Sequence, residues 1–217
     1  MHSHSFLFFD VAETLHVLPK AKRSVYKSAF AKYIRSVSEV AVDSYGTLGF
    51  KAGTRFMFHV RGNDALALQK FTRDLLHTEL GAHLRIAHAL FGIRRASPYN
   101  PKDRVSDEPL PQRRYLIVYP FTKTIQWHLL PHEERAQIMK DHVAVGKKYS
   151  EGISQLLLYS YGLDDQEFIV SYATDSLADF QTLVMELRRT EARRYTERDT
   201  PIFLCTRLAL SETLLLL

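Results

Sequence analysis

The sequence predicts an α+β fold built of two tandem ferredoxin-like βαββαβ units with antiparallel sheets. One observation is an internal echo, because RFMFHVRGND at 55–64 aligns with EFIVSYATDS at 167–176, an offset of 112 residues. Both segments read as strands that run into a helix start. A second observation is the stretch ASPYNPKDRVSDEPLPQ at 96–112, which is rich in proline and has no periodicity. Such a stretch is typical of a linker and divides the chain into two halves with the same series of elements.

Each half gives a strand, a helix, two strands, a helix and a strand when it is read in order. Alternation of apolar residues indicates the strands, and apolar spacings of three and four indicate the helices. In the first half we expect strands at 5–11, 43–50, 55–61 and 83–93 and helices at 19–40 and 64–80. In the second half we expect strands at 114–122, 153–161, 166–173 and 201–208 and helices at 131–149 and 176–193. The predicted domains are residues 1–95 and 113–217, joined by the linker at 96–112.

The composition is typical of a soluble globular protein, with 46% apolar and 24% charged residues in a chain of 217. No apolar run has the length of a membrane span, and the first residues lack the basic and apolar regions of a secretion signal. The single cysteine, Cys205, excludes an internal disulfide and suits a reducing compartment. We therefore expect a cytoplasmic protein.

The net charge of +5 raises the possibility of a nucleic-acid partner. However, the basic residues are scattered among acidic ones and do not form one stripe, so we expect no such partner. The same surplus of positive charge would suit a ligand that carries several carboxylates.

The segment 119–149 carries the residue types of a ligand site. A predicted strand with Tyr119 and Lys123 is followed by Trp127 and by a helix whose apolar face includes His142. Spacing alone leaves two interpretations of this histidine. It is either a core residue, which is the commoner case, or the axial ligand of a haem.

Five motifs follow one another in the second half of the chain. They are Y-P-x-x-K at 119–123, W-x-L-L-P-x-E-E-R at 127–135, H-x-x-x-G-x-x-Y at 142–149, G-L-D-D at 162–165 and R-x-x-E-x-x-x-Y at 188–195. In this order they resemble the chlorite dismutase family of haem proteins, and within it the coproheme decarboxylase branch most closely. The resemblance is strong in the second half and loose in the first. It implies a fold of the dimeric α+β-barrel type, a haem (coproheme or haem b), and a ring-shaped homo-oligomer, a pentamer in longer members of the family.

The resemblance implies that His142 is the ligand of the haem iron. The last predicted helix has an apolar stripe that ends in the carboxylate of Glu191, and a buried carboxylate needs a partner. The family pattern places this glutamate beside the histidine, where it would orient the ring. The alternative is that Glu191 pairs with the arginines around it. Lys123 would contact a porphyrin carboxylate and Trp127 would form an aromatic wall, although a solvated lysine and a structural tryptophan are equally compatible with the spacing.

The resemblance also bears on the reaction. Chlorite dismutases carry an arginine at the position of Gln155, and a glutamine has neither the charge nor the fork of hydrogen-bond donors. Coproheme decarboxylases of the firmicute type have a glutamine there and use a tyrosine at the position of Tyr119, which would be oxidised to a radical. We therefore expect a haem-dependent oxidoreductase that converts coproheme to protohaem with hydrogen peroxide, and little chlorite activity. The alternatives are a non-catalytic porphyrin-binding protein, a weak haem peroxidase, and a relative that uses no haem.

Other metal and nucleotide sites have no support in the sequence. His128 and His132 are separated by a proline that interrupts a helix, and His83 and His88 would lie on opposite faces of a strand. The glycine-rich motifs of nucleotide-binding proteins and the motif of serine hydrolases are absent from the sequence.

Overall fold

The structure is a computed structural model that describes residues 3–99 and 109–217. Its strands are β1 (Ser3–Val11), β2 (Val40–Gly46), β3 (Phe56–Gly62), β4 (Leu84–Ile93), β5 (Tyr115–Lys123), β6 (Ile153–Tyr159), β7 (Phe168–Thr174), β8 (Thr196–Arg198) and β9 (Phe203–Arg207). Its α-helices are α1 (Glu13–His16), α2 (Lys20–Ser36), α3 (Ala65–Leu76), α4 (Ile125–Leu129), α5 (His132–Lys147), α6 (Leu177–Leu187) and α7 (Leu210–Thr213).

The predicted α+β class with antiparallel sheets is confirmed, and the order of the long elements is the expected one. Some boundaries differ from the prediction. Helix α2 ends at Ser36 rather than near residue 40, because Val37 already has an extended backbone and β2 begins at Val40. Helix α6 ends at Leu187 rather than at residue 193, and this difference affects the candidate site.

The first compact unit contains residues 1–93 and 204–217. Strand β1 lies between β4 and β3, and β2 pairs with β3, so the strand order is β4-β1-β3-β2 and all pairs are antiparallel. This is the order expected of a ferredoxin-like unit. Alternate residues of the two central strands enter a core with α2 and α3. The core includes Leu7, Phe9, Phe56 and Phe58 from the strands and Phe71 from α3.

The end of the chain belongs to this first unit. Strand β9 pairs with β2 at Tyr45 and Arg207, and the Ser44 hydroxyl donates to the carbonyl of Leu208 at 2.8 Å. The Lys27 ammonium donates to the last carbonyl, that of Leu217, at 2.7 Å. The sequence-based boundaries instead assigned this segment to the second half. The predicted linker at 96–112 stays a prediction, because residues 100–108 lie outside the described part of the chain.

The second compact unit contains residues 94–203. Strand β7 lies between β6 and β5, again antiparallel, and β5 also pairs with β8. Helices α5 and α6 pack on one face of this sheet, where they bury Val170, Tyr172 and Leu183. The predicted echo is present, because β3 and β7 are both seven residues long and start 112 positions apart. The helices that follow are capped by Asp64 and Ser176, which are separated by the same offset.

Within the described residues, no helix has both the length and the apolar character that crossing a bilayer requires.

Candidate functional site

A cavity of about 560 Å³ lies inside the second unit, between the face of the β5–β7–β6 sheet and helices α5 and α6. This volume is in the range of small-molecule and cofactor sites. Most of the wall is apolar. The residues that line it from the sheet and the helices include Ile117, Phe121, Leu157, Phe168, Val170, Met139, Phe180, Val184 and Leu187.

Strand register explains which polar side chains reach the cavity. Ile117 of β5, Tyr172 of β7 and Gln155 of β6 are direct partners across the three strands, so their side chains share one face. Tyr119 lies two residues after Ile117 and therefore points to the same face, where its direct partner is Val170. Tyr119, Tyr172 and Gln155 thus place two phenols and one amide on the sheet wall, all uncharged side chains, and Tyr159 of β6 adds a third phenol.

Tyr119, Tyr172 and Gln155 are neighbours. The Gln155 amide Nε2 donates to the Tyr172 hydroxyl at 3.2 Å, and the rings of Tyr119 and Tyr172 stack with their centroids 6.4 Å apart. Burial raises the pKa of Tyr119 well above its ordinary value, and the neighbouring Tyr172 raises it further. Burial also raises the pKa of Tyr172 to about 12. Both phenols are therefore protonated at neutral pH.

His142 lines the cavity from α5. The helix starts after Pro131 and has Glu133 and Glu134 in its first turn, where carboxylates interact favourably with the helix dipole. The ring Nδ1 is buried and has no hydrogen-bond partner among the described residues. Burial, and after it the positive charge of Lys123, lower the pKa of His142 to about 4. The imidazole is therefore neutral at pH 7, which is the form that binds a metal ion.

Lys123 lies at the end of β5 and is only 9% exposed. Its Nζ lies 4.3 Å from the ring centroid of Trp127, and its nearest hydrogen-bond acceptor is the carbonyl of Ala192 at 3.5 Å. Burial lowers the pKa of Lys123 to about 8, against an opposing effect of Glu167. The lysine is still mainly protonated at pH 7, and no carboxylate of the described residues forms an ion pair with it. A buried cation in this state favours an anionic ligand.

Arginines also line the cavity. Arg188 and Arg193 both donate to Oδ2 of Asp199, at 3.3 and 2.7 Å. The Nε of Arg135 is buried and lacks a hydrogen-bond partner within the described part of the chain. The guanidinium of Arg95 lies 6.0 Å from the ring centroid of Tyr159. The cavity is therefore apolar on most of its wall and positively charged at several places around it.

Trp127 is buried in α4, the short helix that Thr124 caps by accepting a hydrogen bond from the Trp127 amide. The indole packs against Tyr195 and Tyr99, with ring centroids 5.5 and 6.3 Å away. It lines the cavity, as the predicted aromatic wall requires, and it also holds the position of Lys123.

A family model for chlorite dismutase matches residues 22–208. The chain belongs to the chlorite dismutase family. A chlorite dismutase from Ideonella dechloratans is 28% identical over 173 residues, which are 74% of this chain and 59% of that protein. A coproheme decarboxylase from Mycolicibacterium smegmatis is 28% identical over 181 residues, 81% of this chain and 77% of that protein. The structure of an arginine-to-lysine variant of chlorite dismutase from Candidatus Nitrospira defluvii matches with a TM-score of 0.92 at 26% identity, covering 98% of this chain and 93% of that one.

In this member of the chlorite dismutase family, Glu191 does not lie where the sequence-based interpretation placed it. Because α6 ends at Leu187, Glu191 lies in a 3₁₀ turn and outside the predicted helical stripe. Its side chain is 46% exposed, and its Oε1 accepts a hydrogen bond from Arg194 at 3.2 Å. Among the described residues it is not part of the cavity wall. The expectation that Glu191 is buried was wrong, and the alternative of a pairing with the nearby arginines is the one observed. Its predicted place beside His142 stays a prediction.

Two of the other histidines weighed as metal ligands, His128 and His83, have hydrogen-bond partners. His128 bonds Oε1 of Glu167 at 2.7 Å, and the ring of His83 bonds the hydroxyl of Thr14 at 2.8 Å. Within residues 3–99 and 109–217, no group of three or more His, Cys, Asp or Glu side chains is arranged to hold a metal ion.

Sequence reasoning placed His142, Tyr119, Lys123, Trp127 and Gln155 in one site, and the structure brings all five to the cavity. It did not place Tyr172, which contacts Gln155, in the site. It also did not place there Arg188 and Arg193, which pair with Asp199. The tyrosine could have been found by pairing the predicted strands 153–161 and 166–173, since their register sets which side chains share a face. The arginines belong to a turn after α6 that has no periodic pattern.

Proposed function

We propose that the protein is a haem-dependent oxidoreductase that converts coproheme to protohaem with hydrogen peroxide. One observation carries the proposal: a single cavity brings together the neutral imidazole of His142, the buried cation of Lys123 and the buried phenol of Tyr119. Membership of a family that includes a protein named coproheme decarboxylase supports this choice.

The residues present fit a haem. A haem is flat and largely apolar, and the wall of the 560 Å³ cavity is mainly aliphatic and aromatic. His142 would bind the iron, because its ring is already neutral and a buried ring nitrogen without a protein partner leaves the imidazole free of competing contacts. Because Nδ1 has no hydrogen-bond partner among the described residues, the ligand would be an ordinary imidazole and not one made strongly basic by a hydrogen bond.

The positive charges favour coproheme over protohaem. Coproheme carries four carboxylates and protohaem carries two, so the more charged porphyrin gains more from the cations around the cavity. Lys123 would provide the strongest of these contacts. Burial has already removed much of the water around its ammonium, so a porphyrin carboxylate beside it would stabilise a charge that water no longer stabilises. The same argument predicts that the product is held less tightly than the substrate.

Bound coproheme would supply the oxidising chemistry when it reacts with peroxide. For each propionate that becomes a vinyl group, one carbon dioxide is released and one hydrogen peroxide is reduced to water. Tyr119 lies on the sheet wall with a protonated phenol, so it would give up a hydrogen atom, an electron together with its proton. Lys123 is the nearby group whose pKa of about 8 allows it to hold or release a proton near neutral pH.

Gln155 argues against chlorite as the substrate. Its amide is uncharged and is already bonded to Tyr172, so it offers no cation to a small oxyanion at the sheet wall. From the resemblance to longer members of the family, we further propose that the protein assembles as a homopentamer. We also propose that it works in the cytoplasm.

The test is a titration of the purified protein with coproheme, followed by hydrogen peroxide, with products identified by mass. We expect the absorption band of coproheme to shift on binding to the parent but not to His142→Ala. We also expect the parent, but not Tyr119→Phe, to release carbon dioxide in steps. Tyr149→Phe is a matched control, because the Tyr149 hydroxyl bonds Glu186 outside the cavity wall. A Tyr119→Phe variant that decarboxylates at the parent rate would refute the role of Tyr119.

The same titration separates an enzyme from a carrier. A carrier or sensor should bind protohaem at least as tightly as coproheme and leave both unchanged, whereas a decarboxylase should bind coproheme more tightly and release its product. A protein without haem function would leave the absorption bands of both porphyrins where they lie in buffer.

A further inference from the structure

Tyr172 occupies a particular place on the cavity wall. It lies on the central strand β7, with Gln155 as its direct partner on β6 and Tyr119 diagonally across on β5. Diagonal neighbours on one face of an antiparallel sheet are within reach of aromatic side chains. The observed stacking of the two tyrosines at 6.4 Å between centroids agrees with this.

The hydroxyl of Tyr172 is buried, and a buried hydroxyl needs hydrogen-bond partners. One is the Gln155 amide, which donates to it at 3.2 Å. The Tyr119 ring stacks beside the Tyr172 ring, and the proximity of Tyr172 raises the pKa of Tyr119 beyond the larger effect of burial. Tyr172 therefore has two polar neighbours on the wall, and its hydroxyl is hydrogen-bonded to one of them, Gln155.

The hydrogen-bonding capacity of a tyrosine hydroxyl is small: one donor and two acceptor positions. In Tyr172 one acceptor position is taken by the Gln155 amide of the same wall, beside the stacked ring of Tyr119. A phenylalanine would fill the wall and pack on Phe180 equally well, since the ring contact at 5.3 Å does not involve the hydroxyl. The hydroxyl is therefore explained by its polar partner and not by packing.

We propose that Tyr172 is a positioning residue, whose hydroxyl oxygen holds the Gln155 amide beside the stacked Tyr119 ring in one fixed arrangement on the cavity wall. Gln155 is an exposed side chain, so without this contact its amide would sample several rotamers. The Tyr119 phenol would likewise lose the polar group that its ring stacks beside. The consequence for catalysis rests on the proposed function, whereas the arrangement of the three side chains does not.

The first experiment uses the protein without haem, labelled with carbon-13 at the phenol carbon of tyrosine. The signal of Tyr119 is assigned by its loss in Tyr119→Phe. We expect Tyr172→Phe to shift the Tyr119 signal and Tyr149→Phe to leave it in place, because Tyr149 bonds Glu186 instead. A Tyr119 signal that does not move in Tyr172→Phe would overturn the proposal.

A second variant guards against misfolding of Tyr172→Phe. Gln155→Leu removes the amide donor from an exposed side chain, so it should fold normally and shift the Tyr172 signal. An unshifted Tyr172 signal would contradict the proposed contact.

The second experiment measures the loaded protein. We expect Tyr172→Phe to reduce the rate of peroxide-driven decarboxylation about five-fold and to leave the affinity for coproheme unchanged. A change of about five-fold corresponds to the net free energy that one neutral hydrogen bond supplies. A variant whose loss lies entirely in coproheme affinity would contradict a positioning role. If the parent binds coproheme without consuming it, the proposed function fails, and the carbon-13 shifts still decide whether Tyr172 positions its neighbours.

Discussion

Removal of the His142 imidazole should make the stability of the protein less dependent on pH. Burial and the charge of Lys123 lower the pKa of His142 to about 4, from an ordinary value of 6.5. As the pH falls below 6.5, the unfolded chain binds a proton at this residue before the folded protein does. Stability is therefore lost between about pH 6.5 and pH 4, and His142 alone accounts for about 2 kcal/mol of the loss between pH 7 and pH 5.

The assay is urea unfolding of the haem-free protein at pH 7 and pH 5, for the parent and for His142→Gln. The loss of unfolding free energy between these pH values should be about 2 kcal/mol smaller in the variant. His59 is also buried, bonded to His4 at 3.0 Å, with a pKa well below the ordinary value, but it is present in both proteins and cancels in the difference. His132→Gln, on the exposed start of the same helix, controls for the substitution itself. Equal losses in the parent and in His142→Gln would show that the imidazole is not held neutral by its surroundings.

Three further expectations concern the cavity and the fold. Lys123→Met removes a buried cation, so it should stabilise the haem-free protein by about 1 kcal/mol at pH 7, measured by urea unfolding. The same substitution should weaken coproheme binding at least ten-fold in an absorbance titration. With Gln155 in place, chlorite should bleach the haem and release little oxygen at an oxygen electrode, and sustained release would show that another group replaces the missing charge. Gly81→Ala should destabilise the first unit by about 3 kcal/mol or more in thermal unfolding, because the added Cβ would clash with the carbonyl of Leu75. In the control Gly152→Ala, the added Cβ meets no atom within 4 Å, so stability should change little.

The fold could be predicted because its determinants are local. Strand and helix periods, cap residues and the 112-residue echo are all visible in short windows of sequence, and the structure reproduces them with shifts of a few residues. The pairing of β9 with β2 could not be predicted in this way. It joins Tyr45 to Arg207, far apart in the chain, and local patterns do not specify which strand edge a final strand will meet.

The candidate site was predictable only as far as motifs and strand periods extend. Glu191 shows the limit, because the expected stripe assumed that the helix continued past Leu187. Instead the Thr190 hydroxyl donates back to the Leu187 carbonyl at 2.7 Å, and the chain turns. A hydroxyl that bonds the backbone locally competes with the helix, and no apolar pattern reveals this competition.

The distribution of charge in the cavity supports the proposed substrate. Tyr119, Tyr172 and Gln155 on the sheet wall are uncharged at neutral pH, while cations that line the cavity lie at the end of β5, where Lys123 is buried against Trp127, and after α6. A small anion such as chlorite needs a charge next to the place where it reacts. A porphyrin with four carboxylates could instead place its ring against the neutral part of the wall and its anionic groups against these cations. The arrangement therefore supports the proposed oxidation of porphyrin side chains over the splitting of chlorite.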